Sequence, residues 1–182
     1  MRIISGKYKG KRITVPKKAA AQVRPTTDYA KESLFNILNN YYSFEEITVV
    51  DLFAGTGNIS YEFASRGCKD ILAVDKNTQC IKYIEKTANS LVMPIKTLKN
   101  DVFMFLKHLS MKADIIFADP PYAMTEEAFA LIPQLVFENK LLHPEGLLII
   151  EHAKQTDLSH LYYYSHTRKY GSSVFSFFKL SA

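Results

Sequence analysis

The sequence predicts a doubly wound, mainly parallel α/β sheet of seven strands with a basic β-hairpin extension at its N-terminus. Three observations support this fold class. From residue 47 onward, short apolar runs alternate with amphipathic segments, which is typical of successive βα units. Two more apolar runs flank a Tyr170-Gly171 turn signal near the end, which indicates an antiparallel hairpin. The first 31 residues combine positive charge with regularly placed apolar side chains.

The basic N-terminal segment is predicted to be a packed element rather than a solvated tail. Its charges are interleaved with Ile3, Ile4, Tyr8, Ile13 and Val15, and residues 8–11 offer a turn. We therefore expect residues 1–24 to form a basic β-hairpin extension and residues 25–182 to form the main domain.

The charge of this extension predicts a polyanion-binding surface. Residues 1–31 hold nine Lys or Arg and one acid, a net charge of +8, whereas the whole chain carries only +5. A basic end on a near-neutral body is typical of nucleic-acid-binding proteins. The candidate nucleic-acid contacts are Arg2, Lys7, Lys9, Lys11, Arg12, Arg24 and Lys31.

The remaining elements follow from apolar periodicity and capping residues. Strands are predicted at 47–53, 71–75, 95–98, 114–118, 147–150, 161–168 and 173–180. Helices are predicted at 28–40, capped by Thr27 or Asp28, and at 58–65, 78–89, 102–109 and 126–139. In this architecture ligands bind beyond the carboxyl ends of the strands, so the loops at those ends are the candidate sites.

Composition limits the function classes. No apolar run approaches the roughly 20 residues that cross a bilayer, and residues 1–7 lack the apolar core of a secretory signal. Cys68 and Cys80 match neither a metal-ligand spacing nor a disulfide framework. We expect one monomeric domain in a reducing cytoplasm, with free thiols and no metal.

The loop after the first strand is the first candidate binding site. Gly55 and Gly57 allow a sharp turn and the close approach of a ligand. A GxG pair alone is weak, because any tight strand-to-helix turn uses it. The loop is not a P-loop, since no Gly-Lys-Ser/Thr follows, and Tyr61 and Glu62 stand where a third dinucleotide-binding glycine would be needed.

Four acids at successive strand ends indicate which cofactor binds. Asp75 can accept from ribose hydroxyls, Asp101 from an adenine amine, and Asp51 can hold the cofactor's amino-acid part through water. Each acid alone is equally a helix cap or turn former. With Asp119 they form a set that repels pyrophosphate and attracts a sulfonium, which favours S-adenosylmethionine over NAD. Further candidate cofactor contacts are Thr26, Phe53, Ala54, Thr56, Lys76 and Val102.

The most specific motif is Asp119-Pro120-Pro121-Tyr122, after the fourth strand. The prolines stiffen the loop and leave the Pro120 carbonyl available to a ligand. If this carbonyl and the Asp119 carboxylate accept both hydrogens of an exocyclic amine, its lone pair is directed at the cofactor methyl. Tyr122 can stack on the flipped base. We predict methyl transfer by positioning and charge complementarity, with these four residues as the catalytic group.

These motifs together resemble class I methyltransferases, and more narrowly the bacterial RsmD family of 16S rRNA (guanine-N2)-methyltransferases. The resemblance spans essentially the whole chain: residues 2–6 with Lys9-Gly10, then 24–28 leading to 31–36, then 51–57 and 119–122. It implies a Rossmann-like sheet, S-adenosylmethionine as cofactor, and 16S rRNA of the small ribosomal subunit, or of its assembly intermediate, as substrate. It places residues 24–27 near the methionine end of the cofactor or the RNA. Departures from the family pattern are Lys31 for Arg, Asp75 for Glu and Thr56 for Ser; Lys31 keeps the charge but not the bidentate fork.

Three other functions can be weighed from the residues alone. An adenine-N6 methyltransferase on DNA or RNA would use the same Asp-Pro-Pro-Tyr motif, although a target-recognition region for DNA is missing. A protein-glutamine methyltransferase typically has Asn in place of Asp119. A non-catalytic RNA-binding factor on a methyltransferase fold is disfavoured by intact Gly55, Gly57, Asp75 and Asp119.

Overall fold

The computed structural model describes residues 1–15 and 27–180 and confirms the predicted fold class. Seven strands form one sheet in the order β3-β2-β1-β4-β5-β7-β6. The strands are β1 Thr48–Leu52, β2 Asp70–Asp75, β3 Ile95–Lys99, β4 Ala113–Ala118, β5 Leu142–His152, β6 Tyr164–Tyr170 and β7 Ser173–Phe178. The helices are α1 Asp28–Leu38, α2 Asn58–Ser65, α3 Thr78–Ser90, α4 Val102–His108 and α5 Glu126–Glu138.

Strand direction brings the predicted loops to one edge of the sheet. Strands β1 to β5 are parallel, and β7 runs antiparallel to both β5 and β6. The carboxyl ends of β1 to β5 and the β6–β7 turn therefore lie at the same edge, which we call the carboxyl edge.

Helices cover both faces of this sheet. Apolar residues of α1, α2 and α3, such as Leu34, Phe63 and Ile84, form one core with residues of the central strands. Residues of α4 and α5, such as Phe105 and Ile132, form a second core on the opposite face. In the described ranges, none of the helices has both the length and the apolar character required to span a bilayer.

The basic extension closes on itself but forms less strand than predicted. A single antiparallel bridge joins Arg2 to Arg12, and the amide of Ile3 donates to the Lys11 carbonyl at 3.0 Å. The predicted turn at residues 8–11 is confirmed by a 3.1 Å bond from the Lys11 amide to the Tyr8 carbonyl. Ile3 and Ile13 are buried in the α1–α3 core, so the segment is packed, as the interleaved apolar residues predict. The proposed boundary at residue 24 lies outside the described residues.

Helix α1 begins as its capping residue predicts, because the Thr27 hydroxyl accepts from the Ala30 amide at 3.2 Å.

The main difference from the prediction is β5, which begins five residues earlier than the apolar run at 147–150. Its first part pairs Leu142 with Ala113, and a register shift before Ile115 accommodates the His143–Gly146 stretch. This part of the strand was not predicted, because Pro144 and Gly146 are typical of turns.

Candidate active site

A cleft of about 640 Å³ opens at the carboxyl edge. This volume lies in the range of roughly 300–1,000 Å³ that is usual for small-molecule sites. Ten predicted site residues line it: Phe53, Gly55, Asp75, Lys76, Asp101, Val102, Asp119, Pro120, Pro121 and Tyr122. Five more lining residues were not predicted from the sequence: Asn77, Cys80, Phe103, Ala123 and Met124. Proximity in sequence to the predicted loops is the one signal that could have indicated them.

One wall of the cleft includes the loop between β1 and α2. Its backbone has positive φ at Phe53 (55°), Gly55 (53°) and Gly57 (83°). A Cβ on Gly57 would lie 3.0 Å from the Tyr61 ring and 3.0 Å from Ile84 Cγ1, so this position requires glycine. The left-handed conformation of Phe53, which glycine tolerates more readily, marks stored strain at the cleft wall. Gly57, Ala54 and Thr56 are buried in the loop and are not among the residues that line the cleft.

Asp75 links this loop to the loop after β2 through hydrogen bonds. The Gly55 amide donates to Asp75 Oδ2 at 2.8 Å, and the Asn77 amide donates to Oδ1 at 2.7 Å. Two backbone N–H groups thus fix the plane of the carboxylate, while each oxygen retains a further lone pair that can accept from a hydroxyl. The geometry suits the predicted hold on a ribose.

Asp101 is both the N-cap of a helix and a residue of the cleft wall. Its Oδ1 caps α4, accepting from the amides of Phe103 at 3.0 Å and Met104 at 3.1 Å. The same side chain lines the cleft. Next to it, the rings of Phe53 and Phe103 meet edge to face at 6.3 Å and form an apolar wall.

Asp51 does not line the cleft wall. Its carboxylate is buried behind the glycine loop, where it accepts from the Ser60 amide at 3.1 Å and from the Ser60 hydroxyl. Burial raises the pKa of Asp51 to about 7, and the Ser60 bonds oppose this rise. In the described structure Asp51 therefore holds the first turn of α2 against β1.

The Asp119–Tyr122 loop forms the opposite wall. Ala118 pairs with Leu52 on one side and Ile150 on the other, so β4 is fixed in the centre of the sheet. The loop then closes in a turn, with the Met124 amide donating to the Pro121 carbonyl at 2.9 Å. Pro120 is buried, whereas the Tyr122 side chain is exposed at the mouth of the cleft.

Electrostatics of the cleft favour a ligand with positive charge and hydroxyl groups. Among the described residues that line it, three are aspartates (Asp75, Asp101, Asp119) and one is a cation, Lys76. A pyrophosphate would be repelled by this set, whereas a sulfonium or ammonium group would be attracted.

The predicted nucleic-acid contacts divide into three groups. Arg2, Lys7, Lys9, Lys11 and Arg12 are exposed, as a binding role requires. Lys31 was wrongly predicted as a nucleic-acid contact, because its side chain is buried and donates to the Arg2 carbonyl at 2.7 Å and to Asn58 Oδ1 at 2.9 Å. Arg24, and the candidate cofactor contact Thr26, lie outside the described residues.

Comparison with known proteins identifies the family to which this chain belongs. A family model described as "Conserved hypothetical protein 95" matches residues 1–179. The putative rRNA methyltransferase YlbH of Bacillus subtilis is 32% identical over 87% of this chain and 85% of its own length. The ribosomal RNA small subunit methyltransferase D of Haemophilus influenzae is 29% identical over 87% of this chain and 81% of its own.

The chain belongs to the RsmD family of class I methyltransferases. The family prediction is thus confirmed. Solved structures show the same fold along the whole length: a putative methyltransferase, yhhF, from Escherichia coli has a TM-score of 0.81 at 24% identity, covering 98% of this chain and 96% of its own. The hypothetical protein TTHA0928 of a Thermus species has a TM-score of 0.83 at 24% identity, covering 99% of both chains.

Proposed function

We propose that this RsmD-family chain transfers a methyl group from S-adenosylmethionine to the exocyclic N2 amine of a guanine in 16S rRNA. One observation carries the proposal: a single cleft is walled by the glycine loop, Asp75 and Asp101 on one side and by Asp119–Tyr122 on the other. The names of the relatives, which include a small subunit rRNA methyltransferase, support the substrate class.

The residues of the cleft fit this cofactor. A putative methyltransferase, SMU.776, was solved in complex with SAH and shares the fold at a TM-score of 0.66, with 18% identity over 81% of this chain and 49% of its own. In our proposal Asp75 binds the ribose hydroxyls, Asp101 accepts from the adenine amine, and Phe53 and Phe103 flank the ring. The glycine loop leaves room at the methionine end, where Thr26 would contribute. When bound, the cofactor supplies an electrophilic methyl group.

Asp119 and Pro120 then position the nucleophile. The Asp119 carboxylate and the Pro120 carbonyl accept hydrogen bonds from the two N–H groups of the guanine amine and direct its lone pair towards the methyl carbon. Methyl transfer would develop positive charge on the amine nitrogen, and the Asp119 carboxylate would stabilise that charge. The nitrogen releases one proton after the transfer, and Asp119 is the group placed to accept it. Tyr122 stacks on the base at the mouth of the cleft.

The substrate context is part of the same proposal. The exposed cations of residues 2–12 bind phosphates of the small-subunit RNA, whether naked, in an assembly intermediate or in the finished subunit. We propose that the chain acts as a monomer in the cytoplasm.

Mass spectrometry of 16S rRNA tests the proposal. RNA and small subunits from a strain that lacks the gene are incubated with the purified chain and S-adenosylmethionine, digested to nucleosides and compared with a reaction without protein. We expect one new N2-methylguanosine per RNA. N6-methyladenosine as the product, or no methylation of naked RNA, intermediates and subunits, would contradict the proposal.

A further inference from the structure

The carboxyl edge carries an aromatic surface outside the cleft. Tyr29, in the first turn of α1, meets Tyr170 edge to face, with ring centroids 6.0 Å apart. The Tyr29 side chain is 64% exposed, while Tyr170 is half-buried and rests against Phe175 at 6.2 Å. A tyrosine that packs against a second ring and is largely exposed can offer its π-face to a planar partner.

The sheet places this pair beside the active site. Tyr170 ends β6 at the carboxyl edge, the same edge at which Asp119 follows β4. Three steps of about 4.8 Å separate β4 from β6 in the order β4-β5-β7-β6, a distance of about 14 Å. Stacked nucleotides rise about 3.4 Å each, so roughly four of them would span this distance. A strand whose base enters the cleft is therefore long enough to reach the tyrosines with its flanking nucleotides.

Basic residues precede Tyr170 on β6. Arg168 and Lys169 precede Tyr170 and are exposed, and Arg168 shares its face of β6. Next to Tyr29, the carboxylate of Asp28 is already paired with Arg2 at 2.9 Å. Burial lowers the pKa of His166 on the same strand, and Arg168 and Lys179 lower it further.

We propose that Tyr29, Tyr170 and Arg168, which we call the Tyr29 platform, bind a nucleotide of single-stranded RNA that flanks the target guanine. Tyr29 stacks on the base and Arg168 contacts a backbone phosphate, as in sequence-tolerant single-strand binding sites. The platform holds the RNA strand while the target base occupies the cleft. This inference rests on the proposed RNA substrate.

Steady-state methylation of 16S rRNA from the deletion strain tests the platform. Tyr29→Ala should raise the KM for RNA about five-fold or more, because stacking on an aromatic side chain accounts for about that factor per base. The kcat at saturating RNA and the calorimetric affinity for S-adenosylmethionine should stay at their wild-type values. Tyr29→Phe keeps the π-face and should retain the wild-type KM. Tyr41→Ala removes a similarly exposed tyrosine from the loop before β1, at the opposite edge, and serves as the matched control.

Salt dependence separates the two parts of the platform. Tyr29→Ala should leave the slope of log KM against log salt unchanged, since stacking releases no counterion. Arg168→Gln should reduce this slope by about 0.7, the value for one phosphate contact on a single strand.

Three results would overturn the inference: a Tyr29→Ala KM equal to that of wild type, a Tyr29→Phe loss as large as that of Tyr29→Ala, or an equal loss in Tyr41→Ala. A wild-type chain that methylates no RNA would instead contradict the proposed function, and the inference with it.

Discussion

The Nζ atom of Lys31 lies 3.2 Å from Oε2 of Glu62, and both side chains are buried, with 1% and 0% of their surface exposed. Glu62 is the centre of a polar cluster. Its carboxylate also accepts from the amides of Ile4 at 2.9 Å and Ser5 at 3.0 Å, and from Arg66 Nε at 2.9 Å. The basic extension is therefore fastened through its backbone to α2, and through Lys31 to α1.

Breaking this pair should destabilise the whole fold. Lys31→Met leaves the Glu62 charge buried with fewer donors, and we expect the free energy of unfolding to fall by about 3–5 kcal/mol. The matched control is Lys96→Met, whose partner Asp70 lies 3.0 Å away in an exposed pair, and whose loss should cost at most about 1 kcal/mol. Urea unfolding of both variants measures the difference. Equal losses would mean that the Lys31–Glu62 pair does not fasten the extension.

The exposed cations of the extension should govern the salt dependence of RNA binding. Because Ile3 and Ile13 are part of the core, deleting the segment would disturb the fold, so charge-removing substitutions are the cleaner test. Replacing Lys11 and Arg12 with Gln should weaken RNA binding and lower the slope of log affinity against log salt by up to about 2.

A second double variant controls for net charge in that experiment. Lys112 and Lys140 are exposed near the start of β4 and β5, at the edge opposite the cleft, so replacing both with Gln should leave the slope unchanged. Similar slopes for the two double variants would indicate that RNA does not contact the extension. Filter binding across a salt series provides the slopes.

The raised pKa of Asp51 should make stability depend on pH. Burial raises the pKa of this carboxyl from 3.8 to about 7 on folding. As pH rises between these two values, the unfolded chain loses its proton first, so the free energy of unfolding falls. Asp51→Asn has no such proton and retains an acceptor for Ser60. Relative to this variant, the wild type should therefore lose on the order of a few kcal/mol of stability between about pH 4 and about pH 8.

Urea unfolding of the wild type and Asp51→Asn across this pH range measures the difference. Burial lowers the pKa of His152, whose contribution runs the other way and is lost as pH falls through the ordinary range of histidine. Because both proteins carry His152, its contribution cancels in the difference. Parallel stability curves for the two proteins would contradict the assignment of a buried, proton-binding Asp51.

The sequence predicts the elements well wherever a local signal marks their ends. Helix α2 spans 58–65 as predicted, because a left-handed Gly57 immediately precedes it. The loops at the carboxyl edge follow from strand direction alone, and this is why Asp75, Asp101 and Asp119 converge as expected. The start of β5 was missed because Pro144 and Gly146 resemble a turn, while the pairing that makes it a strand comes from β4.

Side-chain roles that depend on tertiary partners were not predictable. Lys31 looks like one more cation of a basic segment, and its partner Glu62 is 31 residues away, on another helix. Phe103 and Met124 look like ordinary apolar residues next to a cap and a turn, and their place in the cleft wall depends on how α4 and the β4 loop approach. Tyr29 and Tyr170 lie far apart in the sequence, so no local periodicity predicts their contact.

We propose that the Asp119 carboxylate chiefly positions the target amine and adds little to the affinity for the cofactor. The most direct test measures single-turnover methyl transfer to 16S rRNA by Asp119→Ala, with the affinity for S-adenosylmethionine determined by calorimetry on the same protein. We predict a loss of about 100-fold or more in the rate of transfer with an essentially unchanged cofactor affinity. Transfer at the wild-type rate, or a loss fully explained by weaker cofactor binding, would contradict this role of Asp119.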